Sequence, residues 1–150
     1  MRILIQRVSE ASVVIDNQIK SAIQNGLLVL VGIEDSDGDE DCEWLANKVV
    51  GLRIFDDGNC IMNRSVQDVD GEILVVSQFT LHAQTKKGNR PSYIKAAKHE
   101  TAIPLYNQFC NLLNKKMEKE VKTGTFAADM KVALVNNGPV SIWIDSKNKE

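Results

Sequence analysis

The chain has 150 residues, 43% of them hydrophobic, with 18 Lys and Arg against 20 Asp and Glu. That length supports one domain, residues 1–150, around one sizeable core, and the near-balanced charge excludes a global positive field that attracts nucleic acid, so any polyanion must be met by a local patch. Cys42, Cys60 and Cys110 are odd in number, scattered and without Cys-x-x-Cys spacing, which points to reduced thiols in the cytosol rather than to zinc or a redox pair. The apolar run after Met1 is broken at Gln6 and Arg7, too short for a signal peptide or a membrane span, so a soluble, cytoplasmic protein with no membrane partner is expected.

β-branched residues dominate Ile3 to Val8 and Ala11 to Ile15, which read as two strands, and the turn signal Asp16-Asn17 leads into a third from Gln18 to Ile23. Gly26 then precedes Leu27 to Ile33, a nearly continuous apolar run expected to form a central strand buried on both faces. The acidic stretch Glu34 to Glu43 supplies N-cap candidates and negative charge for a helix start, and Cys42, Leu45, Val49 and Leu52 fall on one stripe of a helix ending near Gly51. Arg53-Ile54-Phe55 resumes extended structure. Asp56-Asp57-Gly58-Asn59 and Asp70-Gly71 are turn signals, the second opening Glu72 to Leu81, the strongest strand signal in the chain.

From Ala83 to Pro91 the sequence is polar and basic, with Lys86, Lys87 and Arg90 around Gly88, and reads as an exposed loop. A second helix is predicted from Glu100 to Glu118, with Leu105, Phe109, Leu112 and Lys116 in period, Leu113 and Met117 widening the apolar face, and Pro104 tolerable only near the first turn. Met130 to Val135 alternates as a strand, breaks at Asn136-Asn137-Gly138-Pro139 and resumes from Val140 to Ile144, before a polar tail from Ser146 expected to fray. The fold class is therefore α/β: mixed, strand-rich sheets with two main amphipathic helices packed on one side.

Two polar breaks in apolar strands carry the candidate chemistry. Ser77-Gln78-Phe79-Thr80 follows Ile73-Leu74-Val75-Val76, so a buried strand delivers two hydroxyls, an amide and a ring to its end, where rigid scaffolds display functional groups. The same side chains could equally serve only to bond neighbouring backbone. Gly138-Pro139 interrupts a strand pattern with a residue that lacks an N–H and one that permits unusual backbone angles, so either the backbone is the working part or the pair makes an ordinary hairpin turn. A Ser77-His82-Asp145 hydrolase triad is poorly supported by the spacing, and His82 reads as a solvated loop histidine. Arg7, a cation in an apolar strand, requires carbonyls or a carboxylate as partners. No metal-ligand cluster, phosphate loop or dinucleotide fingerprint is present in the sequence.

The strings Ser77-Gln78-Phe79-Thr80-Leu81 and Asn136-Asn137-Gly138-Pro139-Val140-Ser141 resemble, in order and separation, the two signature motifs of the D-aminoacyl-tRNA deacylases. The likeness spans essentially the whole chain, taking in Ile5-Gln6-Arg7-Val8, Ala11-Ser12-Val13, Gly26 to Leu30, Arg53-Ile54-Phe55, Arg90-Pro91-Ser92 and Thr123 to Met130. Asn137 and Ser141 depart from the aspartate and threonine often found there, which leaves no charge at residue 137.

The resemblance implies the deacylase-like fold and an obligate homodimer in which a cis Gly138-Pro139 bond enters the partner subunit's site. It implies hydrolysis of the ester joining a D-amino acid, or glycine mischarged on alanine tRNA, to the tRNA's terminal ribose, with L-aminoacyl esters spared and no metal or organic cofactor needed. Ser77, Gln78, Phe79 and Thr80 would hold the terminal adenosine and the ester. Gly138 and Pro139 would form the chiral filter, Asn136 would be a further substrate-binding residue, Arg7 would fix the Gly-Pro segment, and Met130 would be an apolar wall. The competing assignment makes Thr80 a covalent nucleophile. A non-catalytic RNA-binding module, with Phe79 stacking a base and Lys86, Lys87 and Arg90 on phosphates, and a generic serine esterase using Ser77 are the readings from other classes.

Overall fold

The computed structural model describes residues 1–150, and its centre is a pair of strands that run parallel, β3 (Gly26–Gly32) and β6 (Glu72–Ser77). Their apolar runs are continuous because both faces are covered: Leu27, Val29, Val31, Ile73 and Val75 face the helices, while Leu28, Leu74 and Val76 join a second core on the opposite side. Around them the sheet runs β2 (Gln18–Ile23), β1 (Arg2–Ile15), β3, β6 and β7 (Lys122–Thr123), with β8 (Lys131–Asp145) on the other edge of β1. β4 (Phe55–Asp56) and β5 (Met62–Arg64) form a separate small hairpin around the Asp57-Gly58 turn.

The two opening strands are one. β1 continues through Ser9 and Glu10, which are exposed, because β8 keeps pairing beyond them, with Glu10 opposite Val135 and Val13 opposite Val132. β3 pairs with its first half and β2 with its second, so the long strand spans both cores. β8 is likewise continuous across the predicted break. Its register passes from Gln6 opposite Ser141 to Val8 opposite Asn136, which leaves residues 137–140 bulged out opposite Arg7.

β6, in contrast, is shorter than the sequence suggests. It ends at Ser77, and Phe79–His82 forms a single 3-10 turn. Gln78 N–H still donates to the Val31 carbonyl at 2.7 Å, after which the chain folds down over Gly32. A Cβ at Gly32 would lie 2.9 Å from Leu81 Cβ and 3.0 Å from the Gln78 oxygen, so this glycine is the seat on which the turn rests. The apolar Phe79 and Leu81 continue the strand pattern in sequence without continuing the strand.

Helices α1 (Asp39–Gly51) and α2 (His99–Lys116) pack on one face and on each other. Gly38 caps α1, its N–H donating to Asp41 Oδ2 at 2.9 Å, and Asp39, Glu40 and Asp41 place negative charge in the first turn. The buried stripe of α2 is Ala102, Leu105, Tyr106, Phe109, Cys110 and Leu113, and each large apolar member contributes about 1.5–3 kcal/mol by leaving water. Lys116 stays partly exposed. Pro104 lies in the second turn rather than the first, and the bond it cannot make would run to the carbonyl of exposed Glu100.

Ser146, where a frayed tail is expected to start, is instead held in place. That residue is buried: its N–H donates to the Met1 carbonyl at 2.9 Å, its Oγ accepts from the N-terminal amine at 2.8 Å, and Lys147 pairs with Asp41 at 2.7 Å. No helix is long and apolar enough to cross a membrane.

Candidate active site

A pocket of about 810 Å3 opens beyond the C-terminal ends of the parallel strands β3 and β6, the place where open α/β sheets present ligand sites. Val31, Ile33 and Val76 form its apolar floor, Ser77, Gln78 and Phe79 one rim, Ala97 to His99 a second, and Phe126 to Met130 a third. Phe126 is fixed edge-on between His99, with centroids 5.7 Å apart, and Tyr106 at 5.6 Å. Tyr106 is itself anchored by its hydroxyl, which donates to the Val75 carbonyl at 3.0 Å. Met130 lies across Gly124, where a Cβ would come within 2.5 Å of its sulfur.

Of the residues singled out from sequence, Ser77, Gln78, Phe79 and Met130 meet at this pocket. Thr80 sits in the 3-10 turn just behind the rim, its Oγ1 accepting a hydrogen bond from Gln78 Nε2. Within the turn, Gln78 N–H is bonded to Val31 and Leu81 N–H to the Gln78 carbonyl, but the main-chain N–H groups of Phe79 and Thr80 have no protein acceptor. The first N–H groups of any helical turn are left over in this way. Here the strand end places them beside a cavity.

Gly138, Pro139 and Asn136 are not walls of the pocket of their own chain. They form the β8 bulge, where the Gly138-Pro139 peptide is cis and both residues are exposed. Asn136 ties the bulge together: its Oδ1 accepts from Val140 N–H and its Nδ2 donates to Ser141 Oγ, both at 2.9 Å. Arg7, only 7% exposed, holds it from below. Its Nε donates to the Asn137 carbonyl at 2.9 Å and its Nη1 to the Ile54 carbonyl at 2.6 Å, with Asp56 at 3.4 Å.

His82 is not a solvated loop residue. It is fully buried under the 3-10 turn, with neither ring nitrogen hydrogen-bonded, and the nearest carboxylate oxygen, on Glu34, is 3.9 Å away. Asp145 is bound to Arg2 at 2.8 Å, so the triad is not assembled. Burial pushes the His82 pKa below its ordinary 6.5, helped by the charges of Arg2 and the N-terminal amine and opposed by the Gly32 backbone and Glu34. The unfolded chain therefore takes up a proton near pH 6.5 that the folded chain refuses until lower pH. Stability is fully present above that value and is lost as pH falls through the window, at no more than about 1.4 kcal/mol per pH unit. His82→Leu, which removes two unsatisfied nitrogens at similar volume, is expected to be neutral or stabilising at pH 7.5 and to flatten the decline toward pH 5, measured by urea unfolding at both pH values.

Of the second and third rims, the sequence singles out only Met130 as a site residue. His99, which no sequence motif singles out, forms part of the pocket wall with Lys98 and Glu100, as does Asp129. The local signal at the second rim is the start of the predicted helix near Glu100, and Phe126 stands within the family-like stretch Thr123 to Met130 without a role of its own.

A mostly apolar cleft with a few convergent polar groups at strand ends is the form of a small-ligand or nucleotide-end binding site. Residues 4–145 match the family described as D-Tyr-tRNA(Tyr) deacylase. The proteins called D-aminoacyl-tRNA deacylase in Bacteroides fragilis and Flavobacterium psychrophilum are 66% and 64% identical to the chain, each aligned over the full length of both proteins. A solved structure entitled c-Myc DNA Unwinding Element Binding Protein superposes with a TM-score of 0.92 at 39% identity, covering 97% of this chain and 98% of that one. Another, a probable eukaryotic D-amino acid tRNA deacylase, shares the fold with a TM-score of 0.80 at 16% identity, covering 95% of this chain and 97% of that one. The chain belongs to the D-Tyr-tRNA(Tyr) deacylase family, whose members are hydrolases acting on ester bonds.

Proposed function

We propose that this chain hydrolyses the ester of D-aminoacyl-tRNA, and of glycine mischarged on alanine tRNA, while sparing L-aminoacyl-tRNA. The observation that carries the reading is the pair of unpartnered N–H groups of Phe79 and Thr80 beside a cavity that is large enough for a nucleoside. Two fixed donors of this kind can bind the ester carbonyl and stabilise the oxyanion that forms on attack by water. An aminoacyl ester is already activated, so positioning does much of the work, and the free ribose hydroxyl of the terminal adenosine can orient the water. Ser77, Gln78 and Phe79 then bind the nucleoside and ester, with Met130 as an apolar wall.

Thr80 is poorly placed as a nucleophile. Its hydroxyl is engaged by Gln78, and no histidine or carboxylate is bonded to it, whereas a covalent mechanism requires a base within reach. Thr80→Ala is expected to retain turnover within about threefold in single-turnover deacylation. A loss of a thousandfold would restore the covalent route.

The filter for handedness is assigned to Gly138 and Pro139 of a second subunit. Three observations support action in trans: the bulge is exposed, it lies outside its own chain's pocket, and β8 carries exposed Val135 and Trp143 on either side of it in sequence. Two carbonyls can hold the substrate's α-ammonium group and crowd the direction an L side chain must take, leaving hydrogen or a D side chain unopposed. Matched D- and L-tyrosyl-tRNA test the whole reading. Release of D-tyrosine no faster than in buffer, or of both enantiomers equally, would refute it.

A further inference from the structure

The chain's cations are unevenly placed. Between Ile73 and His99 there is no aspartate or glutamate, yet Lys86, Lys87, Arg90, Lys95 and Lys98 all fall there. None of the five makes an ion pair, whereas Arg2, Arg7, Lys119, Lys122 and Lys147 do. The segment leaves the pocket at Phe79 and returns to it at Ala96, so both ends of the loop are part of the pocket rim. It is pinned as a protruding finger by the paired bridge between Gln84 and Ser92, at 2.8 and 3.0 Å, and its returning leg is tied to the sheet by Ala97 N–H on the Ile33 carbonyl at 2.9 Å. Along its inner end Tyr93 packs edge-on against Phe79, with centroids 5.0 Å apart, and Ile94 next to it is 83% exposed.

Unpaired cations alternating with exposed flat and apolar side chains, leading away from a nucleoside-sized cavity, form a track for a single-stranded polynucleotide. We infer that the Gln84–Lys95 finger binds the single-stranded 3′ end of the RNA that precedes the terminal nucleoside, with Lys86, Lys87 and Arg90 on phosphates and Tyr93 under a base. This inference rests on the proposed deacylase function and deepens it by assigning the part of the substrate that lies outside the pocket. It also resolves the charge problem: a chain of net charge −2 meets a polyanion through one local patch.

The test compares two substrates that share the reacting ester, D-tyrosyl-tRNA and D-tyrosyl-adenosine, which lacks the preceding nucleotides. Lys86→Gln/Lys87→Gln/Arg90→Gln is expected to raise the half-saturating concentration of D-tyrosyl-tRNA at least tenfold. It should also reduce the slope of log affinity against log salt by about two, at roughly 0.7 for each phosphate no longer neutralised. Cleavage of D-tyrosyl-adenosine by this variant should equal wild type. Tyr93→Leu, which keeps an apolar neighbour for Phe79 but removes the stacking face, should weaken tRNA saturation about tenfold with the salt slope unchanged. Lys20→Gln/Lys115→Gln/Lys116→Gln, an equal charge change elsewhere, should alter neither substrate.

Wild-type saturation and salt slope in the finger variant, or an equal loss on both substrates, would overturn the track. A wild-type protein inactive on both substrates would overturn the deacylase reading itself, and the track with it.

Discussion

Gly138→Ala is expected to lower single-turnover deacylation of D-tyrosyl-tRNA by about a hundredfold or more and to narrow the gap between D and L substrates. Gly138 has φ +136, a region that L side chains rarely adopt, and occupying it costs an alanine about 1–3 kcal/mol. The added Cβ would also lie 2.8 Å from Arg7 Nη2 and 2.8 Å from Val140 Cγ2. Neither neighbour is free to yield, since Arg7 is anchored on Asn137 and Ile54, and Val140 N–H is held by Asn136. The strain is therefore released by movement of the bulge, which carries the carbonyls assigned to the α-ammonium group. A displacement of about 1 Å in a positioning element costs on the order of a hundredfold in rate. Urea unfolding should show a loss of only about 1–3 kcal/mol, so the protein remains folded while it is assayed. Unchanged rates and selectivity would remove Gly138 from the filter.

The fold was largely legible because most of its elements are written as burial patterns. Leu27 to Gly32 and Ile73 to Val76 are apolar without interruption because each strand has a core on both faces, and the helices show their stripes because only one side is covered. The errors fall where the backbone, rather than the side chains, decides. Ser9-Glu10 interrupts the hydrophobic pattern of β1 but not its hydrogen bonding, which depends on β8 from the far end of the chain. Phe79 and Leu81 preserve a strand-like pattern in a segment that has already turned over Gly32. His82 misleads for a related reason: a polar residue after an apparent strand suggests solvent, whereas the turn folds it inward.

The candidate site was legible only in part. Both polar breaks stand out locally, but the pocket is closed by α2 and by the segment from Gly124 to Met130, whose approach to β6 is set by tertiary packing. The unpartnered N–H groups of Phe79 and Thr80 belong to every residue type but proline and leave no trace in sequence. The Gly138-Pro139 bulge could be read as special from its own residues, but its separation from the pocket of its own chain only from the family resemblance.

Arg7→Met is the second substitution expected to have a large effect, because Arg7 is the fastening between the bulge and the rest of the molecule. Its guanidinium bridges the Asn137 carbonyl on β8 and the Ile54 carbonyl just before β4, and lies 6.0 Å from the Phe55 ring centroid. Asp56 is half exposed, so the ion pair itself contributes little. The stronger contribution comes from charged hydrogen bonds to carbonyls in a buried setting, and removal of the donor leaves the Ile54 carbonyl, on a residue 6% exposed, without a partner. A loss of about 2–3 kcal/mol in urea unfolding is expected, with at least a tenfold fall in D-tyrosyl-tRNA turnover as the bulge loosens. Arg7→Lys should rescue little of either, since a single ammonium cannot reproduce a fork that reaches two carbonyls on separate segments of the chain. Because the Cβ introduced at residue 138 collides with Arg7 Nη2, the two substitutions act on one contact. The Arg7→Met/Gly138→Ala double variant should therefore lose less stability than the sum of the singles, by at least about 0.5 kcal/mol. Strict additivity would show that Arg7 and Gly138 act independently, and the fastening role would fail.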